Sequence, residues 1–448
     1  MENRLDLDAL HELIEAKDYR RIKKEISDMY PADIAWLLGD MDAKNMILVF
    51  RLIPKEEAAE TFSYLDFDSQ EIIVNAVTDN ELSAIMDELY VDDAVDLIEE
   101  LPAGVVRRVL RCVDSSTREI INRYLKYEDD TAGTIMTSEY INLKSEMTVL
   151  EAFRYIRRKA GDSEDIYNCY VIDKNRILQG TVSIKTLILA EADDKIGDLM
   201  EDDPIYVRTG DDKEHVAGII SHYDLLTVPV VDDELRLVGI VTIDDAVEVM
   251  QEEVTEDFEI MAAMLPSEKP YLKTGVFSLA KNRIVWLLFL MVSSTITGSI
   301  LSTFEEALAV IPVLVSFVPM LMGTGGNSGS QASTLIIRGM AIDEIRLRDF
   351  PKVLFKELRV GLVCGISLGI ICFAGVYLLY GHNPALALTV AITIALTVLM
   401  AKCLGCVMPM AAKAVKLDPA LMASALITTI VDACSLLVYF AIVNLILL

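Results

Sequence analysis

The chain has 448 residues, of which 53% are hydrophobic, and its formal net charge is −29. The charge is confined to one part: residues 1–272 contain 28 basic and 61 acidic side chains, whereas residues 273–448 contain 12 and 8. This split excludes a purely soluble enzyme, and the lack of a basic surface excludes a nucleic-acid binder. We expect an acidic soluble part that attracts cations, followed by a membrane part.

Residues 1–130 contain short amphipathic segments separated by polar breaks. Phrases such as ADIAWLLGDM and DDAVDLIEEL return about every 12 residues. A short repeat of this kind predicts an all-α helical-repeat domain, in which small helices stack on one another. The charged, amphipathic N-terminus does not resemble a signal peptide, so we expect the soluble part to stay in the cytosol.

Residues 131–250 contain a duplication, in which Met136 matches Met200. Each copy reads as a helix, an apolar strand, a glycine-led strand and a helix. This predicts two α+β domains in tandem, over residues 131–200 and 201–250. The pattern resembles the CBS-pair regulatory module. The resemblance implies that an adenine nucleotide could bind, through an Asp just after the last strand of a copy. The second copy has Asp245 there, but the first has Lys185-Thr186.

An acidic helix is predicted next, over Glu248–Leu265, with no break before the membrane part. Residues 251–275 are thus interpreted as a connecting helix. A plain solvated linker would carry charges of both signs, whereas Glu252, Glu253, Glu256 and Asp257 carry only one. We interpret this one-signed cluster as a gate that responds to cations.

Residues 276–448 are predicted to form a transmembrane domain of five helices. About 20 apolar residues cross a bilayer, and five stretches are long enough or nearly so. The positive-inside rule places the N-terminus in the cytosol and the C-terminus outside. The stretches are Ile284–Leu301, Ala307–Ile337, Val360–Tyr380, Pro384–Met400 and Leu421–Leu448.

Two features of these spans are costly in a membrane. Asp432 is a carboxylate within the fifth span, and helical spacing places Thr428, Thr429 and Ser435 on its side. Such a residue indicates an ion pathway, although it could also bond to a neighbouring helix. The second span contains GTGGNSGSQ, which predicts an interrupted helix lining a cavity. The alternative is close helix packing through small residues.

All of these candidate ligands are oxygen atoms, and no His lies near them in the sequence. Oxygen ligands suit Mg²⁺, Ca²⁺ or Mn²⁺ better than Zn²⁺ or Cu⁺. One carboxylate with hydroxyls and carbonyls is a sparse set, which suits an ion that keeps its water. Mg²⁺ loses water reluctantly, so Mg²⁺ is favoured.

The order of these domains resembles the MgtE family of bacterial magnesium channels. The most specific motifs are PMLMGTGGNSGSQ and DPALMASALITTIVD. The resemblance implies a homodimer in the cytoplasmic membrane, with Asp432 as the pore aspartate. The other implied pore-lining residues are Gly325, Gly326, Asn327, Gln331, Thr428 and, at the outer mouth, Glu306. Ala425 stands where the family usually has proline.

The resemblance also implies control by Mg²⁺ ions that bridge acidic residues of the soluble part. The matching residues are Glu60, Asp92 and Asp96 in the helical domain, Asp212, Glu214, Asp224, Asp245 and Glu248 in the second CBS copy, Glu253, Glu256 and Asp257 in the connecting helix, and Asp418 at the cytosolic mouth. At low Mg²⁺ the acidic domains would repel each other, and bound Mg²⁺ would favour a compact state.

The predicted function is therefore Mg²⁺-selective, channel-like influx that cytosolic Mg²⁺ closes. An enzyme is not expected, since the four His are scattered and no P-loop motif occurs. One alternative is a divalent cation/proton exchanger that uses Asp432 as its proton carrier. Another is a membrane-anchored Mg²⁺ sensor without flux. The predicted fold is a multidomain membrane protein: helical-repeat N-domain, tandem CBS domains, connecting (plug) helix and five-helix transmembrane domain.

Overall fold

The structure is a computed structural model that describes residues 7–267, 271–272, 274–342, 344–422 and 424–447. The chain divides into two compact units, Met1–Met250 and Gln251–Leu448. Each unit has its own buried apolar clusters.

Ten short helices lie in the described part of the chain between residues 7 and 124, at the beginning of the first unit. Many begin with a polar residue whose side chain accepts a hydrogen bond from a first-turn N–H, as Asp42, Asp66 and Thr78 do. Their apolar faces share one core, which confirms the predicted helical-repeat domain. The helices are α1 (Leu7–Glu15), α2 (Tyr19–Ile26), α3 (Pro31–Gly39), α4 (Ala43–Phe50), α5 (Lys55–Ser63), α6 (Phe67–Ala76), α7 (Asp79–Met86), α8 (Val91–Glu100), α9 (Ala103–Cys112) and α10 (Ser115–Tyr124).

The two following copies share one sheet topology, which confirms the tandem α+β prediction. In each sheet the first strand is parallel and the third antiparallel to the central strand. The short first strand of each copy was not predicted. The strands are β1 (Tyr140–Leu143), β2 (Asp165–Ile172) and β3 (Leu178–Ser183), then β4 (Val207–Arg208), β5 (Thr227–Val231) and β6 (Leu237–Thr242). The helices are α11 (Val149–Lys159), α12 (Ile184–Leu189), α13 (Ile196–Leu199) and α14 (Lys213–His222).

The β2–β3 and β5–β6 turns are joined by backbone hydrogen bonds. The N–H of Leu178 donates to the carbonyl of Leu235 at 3.1 Å, and the N–H of Leu237 donates to the carbonyl of Arg176 at 2.9 Å. Arg176 and Leu235 have positive φ angles of 68° and 62°. The two hairpins therefore meet through equivalent positions of the duplicated motif.

The acidic helix α15 (Ile243–Met261) starts directly after β6 and has 19 residues. The chain turns after it, since Ala263 has a φ of 56° and Pro266 cannot donate a backbone hydrogen bond. The prediction of an unbroken helix up to the membrane part is therefore wrong. The helix begins within the second CBS copy and ends at Met261, and part of the predicted segment 251–275 lies outside the described residues.

Long apolar helices dominate the second unit. Four described segments are long and apolar enough to cross a membrane: Val276–Thr303, Leu347–Leu379, Pro384–Ala414 and Pro419–Ile446. They correspond to the first, third, fourth and fifth predicted spans. Their α-helices are α16 (Val276–Thr303), α19 (Phe350–Leu379), α20 (Pro384–Ala414) and α21 (Ser424–Ile446).

The second predicted span, Ala307–Ile337, differs from the prediction. It is divided into α17 (Glu305–Val310), a 3₁₀ turn over Pro312–Phe317 and α18 (Val318–Ala341). With 24 residues, α18 is about 36 Å long, which is enough to cross a bilayer. Its many polar residues and glycines make it less apolar than the four segments named above. It is one continuous helix, so the predicted interruption at GTGGNSGSQ is wrong.

The glycines of α18 serve close packing instead. A Cβ at Gly325 would lie 2.8 Å from Cγ2 of Thr397 in α20 and 2.9 Å from Cγ1 of Val431 in α21. A Cβ at Gly329 would lie 2.7 Å from Cγ2 of Ile427. Small residues let the three backbones approach one another. The alternative interpretation of the glycine motif, helix packing, therefore fits the structure.

Candidate metal centre and ion pathway

Three carboxylates meet in the first unit. Asp92 lies in the first turn of α8, Glu164 immediately precedes β2, and Asp245 lies in the first turn of α15. One carboxylate oxygen of each lies within 4.8 Å of the others. Asp92 is buried, with a relative exposure of 8%. Three segments far apart in sequence thus bring three acidic groups together, one buried and two half-buried.

The electrostatics of this cluster disfavour three free carboxylates. Burial raises the pKa of Asp92 well above its ordinary value, and the charges of Glu164 and Asp245 raise it further. Burial, with Asp245 next in importance, raises the pKa of Glu164 to about 8. Burial also raises the pKa of Asp245 to about 6, although a hydrogen bond from Thr242 lowers it. Neutralisation, by protons or by a cation, would relieve this repulsion.

The residues present fit a divalent cation with oxygen ligands. Oε2 of Glu164 is shielded from solvent and has no hydrogen-bond partner among the described residues. Asp92 already accepts a 3.0 Å hydrogen bond from the N–H of Asp93 through Oδ1. Carboxylates of this number and separation suit Mg²⁺ or Ca²⁺, which bind oxygen ligands.

The structure brings together two of the residues singled out in the sequence, Asp92 and Asp245. Sequence reasoning missed the third, Glu164. It lies in an S-E-D run between a 3₁₀ turn and β2, which in sequence looks like any polar turn. Only the tertiary fold shows that this turn faces α8 and α15.

The remaining predicted acids of the first unit lie outside the three-residue cluster. Asp212 caps α14: its Oδ1 accepts hydrogen bonds from the N–H groups of Glu214 at 2.9 Å and His215 at 3.3 Å. Asp224 is exposed and has a φ of 53°. The other predicted acids have exposed side chains on α5, α8 and the first half of α15: Glu60, Asp96 and Glu248.

The predicted acids of the second unit occupy three places. Glu253, Glu256 and Asp257 share one face of α15, at helical spacing. Asp418 precedes the 3₁₀ turn before α21, and its Oδ1 accepts a 2.8 Å hydrogen bond from the N–H of Ala420. Glu306 is exposed in the first turn of α17.

Asp432 lies half-buried on α21, one turn after Thr428. A Cβ at Gly326 of α18 would lie 3.0 Å from Cγ2 of Thr428, so this turn of α21 packs on the glycine motif. The hydroxyls of Thr428 and Ser435 donate to carbonyls of their own helix, at 2.9 and 2.6 Å. The hydroxyl hydrogens of this face are thus used within the helix. Asp432 is the charged side chain of the face, and its carboxylate oxygens could bind a cation.

Asn327 and Gln331 lie one turn apart on an exposed face of α18. The side chain of Gln331 is hydrogen-bonded to another helix of the same unit: Nζ of Lys402 in α20 donates to its Oε1 at 3.3 Å. Lys402 itself is buried, with 6% exposure. Sequence reasoning treated Gln331 as a ligand or orienter of the cation and did not identify this bond.

Comparison with known protein families assigns each part of the chain. The family described as MgtE, divalent cation transporter, matches residues 318–442. The MgtE intracellular N domain matches residues 29–130. CBS domains match residues 132–193 and 196–252.

Similar proteins cover almost the whole chain. Magnesium transporter MgtE of Thermus thermophilus is 35% identical over 451 residues, which cover 100% of this chain and 99% of the relative. Magnesium transporter MgtE of Bacillus subtilis is 30% identical over 430 residues, 95% of this chain and 93% of the relative.

Solved structures resemble the soluble part. A crystal structure of the cytosolic domain of the Mg²⁺ channel MgtE in complex with ATP has a TM-score of 0.52 and 35% identity, covering 55% of this chain and 100% of that one. The soluble part of a magnesium transporter has a TM-score of 0.52 and 29% identity, with coverage of 55% and 97%. With its family matches, its full-length relatives and its apolar helices, the chain belongs to the MgtE family of magnesium transporters.

Proposed function

We propose that this chain lets Mg²⁺ cross the cytoplasmic membrane along a path beside Asp432, and that cytosolic Mg²⁺ closes this path. Two observations carry the proposal: a half-buried carboxylate on an apolar helix of the membrane part, and a cluster of one buried and two half-buried carboxylates in the soluble part. An intramembrane carboxylate marks an ion path, and the cluster is suited to sensing the same ion.

The closing step follows from differential affinity. A cation that binds to Asp92 of α8, Glu164 just before β2 and Asp245 of α15 stabilises the arrangement in which these three segments meet. Without the cation, the repulsion within the cluster opposes that arrangement. The acids of the connecting helix (Glu253, Glu256, Asp257) and Asp418 are proposed to extend the same response towards the membrane. Several weak sites that fill together would make the response steep.

The polar face of α18 supports a homodimer. Asn327 and Gln331 are exposed in the single chain, and polar groups at membrane depth need a partner or a water-filled cavity. A second copy related by a twofold axis would cover this face and supply a second Asp432. We propose that the path runs between the two copies, with the soluble domains in the cytosol and the C-terminus outside.

A divalent cation is a better-supported ligand of the CBS pair than an adenine nucleotide. The corner after β3 carries Thr186, whose N–H donates to Oγ of Ser183 at 3.0 Å as an ordinary helix cap. The residue at the equivalent position of the second copy is Asp245, which belongs to the carboxylate cluster. The related cytosolic domain of the Mg²⁺ channel MgtE was solved in complex with ATP.

The test is Mg²⁺ flux into liposomes that carry the full chain, with Mg²⁺ varied on the side of the soluble domains. We expect wild-type flux to fall as that Mg²⁺ rises, and Asp432→Ala to abolish flux. Asp92→Asn with Asp245→Asn should retain flux at high Mg²⁺, whereas Glu146→Gln, an exposed acid elsewhere, should behave as wild type. Flux indifferent to Asp432, or absent under every gradient, would contradict the proposal. Flux that follows a pH gradient would favour an exchanger.

A further inference from the structure

A buried lysine lies within the membrane unit. Lys402 is in the middle of α20, between Ala401 and Gly405, and only 6% of its surface is exposed. An ammonium group inside a membrane costs several kcal/mol unless it is paired or hydrated. Its position therefore requires an explanation that packing alone does not give.

The hydrogen bond of Lys402 fixes the orientation of the Gln331 amide. The ammonium group is a donor with no acceptor, so the atom of Gln331 that faces it must be the oxygen, as in the observed 3.3 Å bond. The amide nitrogen of Gln331 then points away from Lys402. Since Gln331 is itself exposed, the bond withholds an oxygen ligand from the polar face that also bears Asn327.

A counter-charge is available on α19. Oε2 of Glu357 is shielded from solvent and lacks a hydrogen-bond partner in the part of the chain that the structure describes. Gly361 follows Glu357 by one helical turn, and a Cβ on Gly361 would lie 3.4 Å from Cβ of Lys402. The flexible lysine stem thus starts one helical turn from Glu357, a half-buried residue with one shielded carboxylate oxygen.

We propose that Lys402 is a positioning residue for ion passage, which limits how tightly the path holds a cation, and that Glu357 is its counter-charge. Lys402 keeps Oε1 of Gln331 turned towards α20 and places a positive charge on the side of α18 that faces α20. Conduction needs binding that is favourable enough to admit the ion and weak enough to release it. This inference rests on the proposed transport function.

The test compares Lys402→Met with wild type in the liposome assay, over a range of external Mg²⁺. Without Lys402 the Gln331 oxygen can turn outward and the positive charge is gone. We expect the half-saturating Mg²⁺ concentration to fall at least threefold and the maximum rate to fall about tenfold, because release becomes slow. Lys402→Arg, which keeps the donor and the charge, should stay within about threefold of wild type on both measures.

A second substitution tests the role of the amide. In the Lys402→Met background, Gln331→Met removes the oxygen that would turn outward, so the half-saturating concentration should return part of the way to wild type. An unchanged half-saturating concentration in Lys402→Met, whatever its maximum rate, would overturn the proposal. Should Lys402→Met fail to fold, Lys402→Leu replaces it, because it also removes both the donor and the charge, and the same direction of shift is expected.

The counter-charge is tested by thermal unfolding in detergent. Removing one member of a buried pair leaves an uncompensated charge, whereas removing both does not. We therefore expect Lys402→Met and Glu357→Gln each to lower the Tm, and the double variant to lose less than the sum. Strictly additive losses would overturn the pairing. Absence of wild-type flux would instead contradict the proposed function, which separates the two failures.

Discussion

The hydroxyl of Thr242, at the end of β6, donates a 2.6 Å hydrogen bond to Oδ2 of Asp245 in the first turn of α15. Thr242 is buried, so this bond fixes the Asp245 carboxylate against the sheet. A ligand that is held in place before the ion arrives loses less side-chain freedom on binding. The orientation of Asp245, a proposed metal ligand, is thus set by the CBS fold.

Replacing Thr242 by Val tests this orientation, because Val has nearly the same shape and lacks the hydroxyl. A lost hydrogen bond to a charged group is worth about 1.5–3 kcal/mol. We expect the Mg²⁺ concentration that half-inhibits flux to rise roughly tenfold. Thr134→Val is the control, since that hydroxyl bonds to the carbonyl of Thr131. Equal shifts in both variants would argue against an orienting role.

Glu164→Gln should separate metal binding from fold stability. Above pH 8, where Glu164 is charged in the folded state, removing this charge relieves repulsion among the three carboxylates, so the Tm of the protein in EDTA should rise. The variant also loses a ligand, so the rise in Tm on adding Mg²⁺ should be smaller than in wild type. Differential scanning fluorimetry with and without Mg²⁺ measures both. A lower Tm in EDTA would show that Glu164 has a stabilising partner instead.

The raised pKa values predict the pH dependence of the soluble part. Asp and Glu have ordinary values of 3.8 and 4.5, and Asp245, Asp93 and Glu164 are raised to about 6, 7 and 8. The folded state binds more protons, so its stability falls as pH rises from about 4 to 8. Mg²⁺ should weaken this dependence and release protons on binding. Calorimetric Mg²⁺ titration at pH 6 in two buffers of different ionisation enthalpy checks the release.

Two glycines of α18 form a matched pair for testing helix packing. A Cβ at Gly325 would contact Thr397 and Val431 at under 3 Å, whereas a Cβ at Gly323 meets nothing within 4 Å. Overpacking costs about 1–3 kcal/mol, so Gly325→Ala should lower the Tm in detergent. Gly323→Ala should leave it unchanged or slightly raised, because Ala favours helix. Equal effects would mean that α18 does not pack closely at Gly325.

Asp212 distinguishes a helix cap from a metal ligand. Asn caps helices as well as Asp does, and loss of the cap costs about 1 kcal/mol. We expect Asp212→Asn to keep both stability and Mg²⁺ inhibition, and Asp212→Ala to lose stability only. A shift in the inhibiting Mg²⁺ concentration in both variants would instead support the ligand role that the family resemblance implies.

The domain order could be predicted because it depends on periodicity and composition. Repeated amphipathic phrases define the helical domain, and the match of Met136 with Met200 reveals the duplicated copies. Apolar length defines four of the spans. These signals are local in sequence, and hydrophobic burial then forces the elements to form.

The continuity of α18, the third member of the carboxylate cluster and the bond from Lys402 could not be predicted, because they depend on contacts between residues distant in sequence. Glycines that break a helix and glycines that let helices approach look alike in sequence, and only Thr397 and Ile427 show which applies to α18. Glu164 joins the carboxylate cluster only through the tertiary fold. The bond from Lys402 to Gln331 links residues 71 positions apart, which no periodicity reports.

The joined hairpins of the two CBS copies have a mechanical consequence. Backbone bonds at the turns are supplemented by Thr137 and Ile240, which exchange hydrogen bonds of 2.8 and 2.9 Å. Because the two copies are hydrogen-bonded at two separate places, the turns and the Thr137–Ile240 pair, one copy cannot easily slide against the other. Strain created at Asp245 would therefore be shared by both copies instead of being relieved by movement of one copy against the other.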